Sequence, residues 1–83
     1  MLELRDRGVY RFSIMMRTPF AGQTVIARSR PGGFDLFTVD EWSTLADPRI
    51  RVDPNGRILY HGRSTGYRSD ILVDCGETVD ERE

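Results

Sequence analysis

Eighty-three residues, 39% of them apolar, make one domain near the small end of what folds without covalent staples. A single cysteine, Cys75, excludes an internal disulfide framework and fits a reducing, cytoplasmic setting. No stretch reaches ten consecutive apolar residues, which excludes a membrane span, and the charged residues 1–7 do not read as a signal peptide.

The formal charge is −1, yet all twelve cations are arginine and they are sorted along the chain. Residues 1–30 carry a net +4, 31–48 a net −4, 49–73 a net +3 and 74–83 a net −4. Arginine's planar fork pairs bidentately with carboxylate or phosphate, which a lysine ammonium cannot do. Arginine-only usage also follows from a GC-rich genome, so composition alone does not fix a role. A near-neutral total argues against bulk coating of nucleic acid and leaves room for a local basic face.

Residues 9–17 alternate as a half-buried strand, with Tyr10, Phe12, Ile14 and Met16 on one face and Arg11, Ser13, Met15 and Arg17 on the other. Residues 18–22 read as a turn and 23–30 as a second strand. A turn over 30–33 leads to a short third strand at 34–37, and turns this close predict an antiparallel meander. Thr38 with Glu41 has the spacing of a capping box, so a helix is expected over about 39–46, ended by Asp47-Pro48. Two turns are too few to be stable alone, so this helix is expected to bury Trp42 against the sheet as its main anchor.

Asp53-Pro54-Asn55-Gly56 is the most determinate local text: it suits a type I turn with Gly56 left-handed. The three-residue loop it implies sets Val52 opposite Ile58, Arg51 opposite Leu59 and Ile50 opposite Tyr60. All the apolar pairs then share one face of a 49–61 hairpin, with an Asp53/Arg57 charge pair on the other, so turn chemistry and hydrophobic pattern agree on the register. Residues 62–66 read as a polar loop, 71–73 as a short buried strand or one-turn element, and 76–83 as an acidic, disordered tail beyond a globular domain of residues 1–75. The fold class is α+β: a small single domain, mostly antiparallel, with meander, hairpin and one short helix packed on the sheet.

Catalytic chemistry is poorly supplied. His61 is the lone histidine, set among arginines without an orienting carboxylate, and Cys75 has no histidine beside it. One histidine and one cysteine cannot complete a zinc site, and the acidic tail lacks the loop register of a calcium hand. Gly62-Arg63-Ser64-Thr65-Gly66 resembles a phosphate-cradling loop in composition but lacks the lysine and spacing of a P-loop. No catalytic residue, metal or cofactor is expected.

The stronger candidate is the outer face of the hairpin with its extension: Arg49, Arg51, Leu59, His61, Arg63, Tyr67 and Arg68. Arginine and tyrosine are enriched where proteins meet proteins and also where they stack on bases. The like charges of Arg49 and Arg51, adjacent on one strand face, point to an anionic partner. The expectation is a non-catalytic interaction module (a regulator, inhibitor or accessory subunit) meeting an acidic protein surface. The alternative is a nucleic-acid-binding module using the same face. No membrane partner is expected, and a homo-oligomer is compatible with the sequence.

Overall fold

The computed structural model describes residues 3–80. Seven strands form one sheet: β1 (Gly8–Phe12), β2 (Thr24–Arg30), β3 (Gly33–Thr38), β4 (Ile50–Val52), β5 (Arg57–Tyr60), β6 (Arg63–Arg68) and β7 (Leu72–Thr78). A short helix, α1 (Val39–Thr44), follows β3, and a 3-10 turn, Ser69–Ile71, joins β6 to β7. The first six strands run as an antiparallel meander, and β7 returns to pair with β1, giving the order β6-β5-β4-β3-β2-β1-β7.

Alternation along each strand directs the apolar residues inward. Tyr10 and Phe12 of β1, Val25 and Ala27 of β2, Leu36 of β3, Ile50 and Val52 of β4, Ile58 of β5 and Leu72 of β7 are buried in one cluster. Ile58 and Leu72 lie five strand positions apart, roughly 24 Å in a flat sheet at ordinary strand spacing. Their membership of one core means that the sheet curls around it. Phe20, packed on Phe12 with ring centroids 4.9 Å apart, and Met16 close the core from the long β1–β2 connection.

The expected hairpin register is observed: Ile50 faces Tyr60, Arg51 faces Leu59 and Val52 faces Ile58. Gly56 has φ +81°, as the loop requires. A Cβ there would also sit 3.3 Å from Ser69 Oγ, so Gly56→Ala is expected to cost about 1 kcal/mol in a urea melt, from the left-handed backbone above all. The Asp53 carboxylate does not face Arg57 as a charge pair in this turn. It accepts hydrogen bonds from the amides of Asn55 (2.9 Å) and Arg57 (2.8 Å), fixing the loop from within.

Four expectations about where the elements begin and end need correction. The first strand ends at Phe12, because Ser13 turns the chain: its carbonyl accepts from Met16 N and its hydroxyl from Met15 N. Ile14 is therefore exposed, not a core residue, while Met16 is buried. The expected polar loop at 62–66 is the start of β6, since His61 and Gly62 both take positive φ and make a two-residue hairpin turn. The helix is shorter than expected, Leu45 adopting the left-handed conformation that caps it.

The fourth concerns the acidic tail. Residues 76–78 belong to β7, whose Thr78 pairs with Gly8, and Val79 N donates to the Arg7 carbonyl; residues 81–83 lie outside the described residues. The Asp74 carboxylate of this strand is bonded by Arg5 and by the Gly76 amide, which together hold it below the usual carboxylate range. A carboxylate with a depressed folded-state pKa stabilises above its unfolded value of about 3.9 and loses that contribution as pH falls through the folded value. Between about pH 5 and pH 2 the parent chain is expected to lose more stability than Asp74→Asn does, measured by urea melts along the pH series.

The helix sits on the opposite face of the sheet. Its capping box forms as expected: Thr38 Oγ1 accepts from Glu41 N at 3.2 Å, and Glu41 Oε1 accepts from Thr38 N at 2.8 Å. Val9, Ile26 and Phe37 form a buried row across the outer faces of β1, β2 and β3. Trp42 meets Phe37 edge-on at 5.3 Å, but it is only half-buried. It covers this secondary row and is not the anchor of the main core.

Candidate functional site

The register that fills the core also decides where the arginines go. With Ala27, Leu36, Val52 and Ile58 inward, their neighbours point outward, and one row crosses five strands: Arg28, Asp35, Arg51, Leu59 and Ser64. Arg30, two residues along β2 from Arg28, shares this face, as do Arg57 and its cross-strand partner Arg68. Arg49 stands at the other end, its carbonyl accepting from His61 N at 2.9 Å. Six arginines thus lie on one outer surface.

Two carboxylates are set among them. Glu41, in the first turn of α1, is buried, and its Oε2 accepts from Arg49 Nε at 2.9 Å, a contact that raises the Arg49 pKa above its ordinary value. Asp35 Oδ1 accepts from Arg30 Nη1 at 3.0 Å and lies 3.2 Å from Arg51 Nε. The like charges of Arg49 and Arg51 are therefore each answered by a carboxylate, and their adjacency alone does not call for a partner. The surplus belongs to the whole face, where six arginines stand against Asp35, Glu41 and the Asp47 that shares a hollow with Arg28.

The sequence-predicted residues separate into groups. Arg49, Arg51 and Leu59 share the outer face, with Arg68 at its far corner, where its guanidinium donates to the Asn55 carbonyl at 2.8 Å. His61 occupies the β5–β6 turn and packs edge-on against Tyr60, ring centroids 4.4 Å apart. Tyr67 turns inward against the core, and its hydroxyl accepts from Arg17 N at 2.8 Å. Arg63 lines a separate groove with Arg17, Phe20 and Tyr60. Arg28, Arg30 and Arg57 were missed as site residues. The signal for the first two is Arg28-Ser29-Arg30, an i, i+2 pair on one strand face, which joins the hairpin once β3 is placed between them.

Among the described residues no group of three or more His, Cys, Asp or Glu could hold a metal ion, and no helix is long and apolar enough to cross a membrane. No family model matches the chain, and neither a curated protein nor a solved structure matches it.

Proposed function

We propose that the chain is a non-catalytic interaction module whose outer sheet face binds an acidic protein partner. The observation that carries this reading is the surplus of arginine on that face, with Arg28, Arg51 and Leu59 in one cross-strand row. Arginine's planar fork is preorganised, so less freedom is lost per hydrogen bond formed, and it pairs with carboxylates two bonds at a time. A protein partner is favoured over single-stranded nucleic acid because base stacking needs exposed rings beside the cations. Here Phe37 is buried, and Tyr60 and Tyr67 pack toward the core.

A fluorescein-labelled decaglutamate peptide serves as the probe, read by anisotropy. The parent chain is expected to bind it, and Arg28→Gln with Arg51→Gln to weaken it about tenfold or more while the melting temperature holds. Arg49 is left in place because it neutralises the buried Glu41. Unchanged affinity in the double variant would put the contact elsewhere. A twelve-residue oligothymidylate binding more tightly than the peptide, with affinity falling steeply with salt, would replace the protein partner by nucleic acid.

A further inference from the structure

We propose that Arg30 and Arg51, held by Asp35, form a preorganised clamp for a tetrahedral dianion: a phosphoryl group carried on an acidic protein segment. This deepens the reading above and rests on it. Both arginines approach the same oxygen, Asp35 Oδ1, at 3.0 and 3.2 Å, so the two guanidinium groups are held side by side. The carboxylate lies beneath them, its side chain 17% exposed against 38% for Arg30 and 51% for Arg51. Each guanidinium meets Asp35 through one nitrogen, and a guanidinium carries five N–H donors in all. Three N–H-bearing strands make the platform rigid: Asp35 is on β3, between Arg51 on β4 and Arg28, which stands directly opposite it on β2.

Donor number selects the ligand. Arg30 and Arg51 around one aspartate leave a net +1 and several N–H donors beyond the two nitrogens on Asp35. A glutamate side chain brings −1 and two oxygens, whereas a phosphoryl monoester brings about −1.5 to −2 at pH 7 and three acceptor oxygens. The phosphoryl group therefore engages more of these donors than a carboxylate does, and arginine forks bind it bidentately where lysine could not. Beside the clamp, Phe37, Leu45, Ala46 and Pro48 line a hollow that reaches Arg28 and Asp35, with Asp47 on its wall. Leu45 is half exposed there. An apolar residue next to the phosphorylated one fits this hollow, and Asp47 repels an acid from it. A single clamp with an apolar hollow suits a phosphorylated peptide better than a nucleic-acid backbone, which presents phosphates in a continuous track.

The test uses the full chain and two peptides, acetyl-Glu-Leu-pSer-Glu-Glu-Glu and its twin with Glu in place of phosphoserine, measured by calorimetry. The phosphopeptide is expected to bind about tenfold more tightly than the twin, and inorganic phosphate to compete with it. Arg30→Gln with Arg51→Gln, checked for folding by circular dichroism, is expected to bring the ratio of the two affinities to about one. Asp35→Asn supplies a second test that keeps both arginines: the twin binds at least as well, because net charge rises, but the preference for phosphate falls as the guanidinium pair loses its common anchor. Equal binding of both peptides by the parent chain overturns the clamp and leaves the acidic-partner reading standing. Binding of neither overturns both. A phosphate preference that survives Asp35→Asn would show that net charge, and not the clamp, selects the ligand.

Discussion

Gly33→Ala is expected to leave the chain largely unfolded at room temperature. Gly33 opens β3 at φ +140°, and a Cβ there would stand 1.9 Å from the Val52 carbonyl oxygen and 3.0 Å from its carbon. That oxygen is backbone in β4, adjacent to the Phe34–Val52 pair, so it cannot retreat without breaking the β3–β4 ladder. Backbone strain of about 1–3 kcal/mol adds to the clash, against a total stability of roughly 4–12 kcal/mol for a domain of this size. Gly32→Ala is the matched control. Gly32 also has positive φ, but nothing lies within 4 Å of its added Cβ, so its cost is expected to stay near 1 kcal/mol. Urea melts of the two variants decide the matter. A Gly33→Ala protein within about 1 kcal/mol of the parent would show that β3 and β4 do not approach as described.

Tyr10→Ala is expected to cost about 3–5 kcal/mol, which approaches the whole stability of the domain. Tyr10 is fully buried on β1 and pairs with Val25 on one side and Asp74 on the other, so it sits inside the sheet between β2 and β7. Its hydroxyl accepts from Arg5 N at 2.8 Å, and the Arg5 guanidinium lies 5.3 Å from the ring centroid. Tyr10→Phe keeps the packing and removes only the hydroxyl, leaving the Arg5 amide short of a partner. That variant is expected to lose about 1 kcal/mol. Similar losses in the two variants would mean that the hydroxyl, and not the ring, carries the contribution.

What could be read from the sequence was whatever is decided locally. Asp53-Pro54-Asn55-Gly56 specifies its turn from four adjacent residues, and the flanking apolar alternation agrees, so the hairpin register emerged intact. Thr38 and Glu41 marked the helix start for the same reason. The misreadings lie where a distant contact wins. His61-Gly62 carries no Asn-Gly or Asp-Gly signal, and β6 has Tyr67 as its one apolar-bodied residue to mark an inner face, so its strand character comes from pairing with β5. Residues 76–78 look like solvated tail until β1 supplies the ladder. The candidate site divided along the same line: Arg51 and Leu59 were placed by local register, whereas the partnership of Arg30 and Arg51 at Asp35 needs β2, β3 and β4 side by side.

The central claim, that the outer face is the binding surface, is tested most directly by two-dimensional NMR of the arginine side-chain Nε–Hε groups during titration with decaglutamate. Each arginine reports its own environment, so the face is read residue by residue. Arg28, Arg30 and Arg51 are expected to shift together and saturate at one affinity, while Arg17 and Arg63, which line the separate groove beside Phe20, stay in place. Shifts confined to Arg17 and Arg63, with the β2–β4 arginines unmoved, would contradict it.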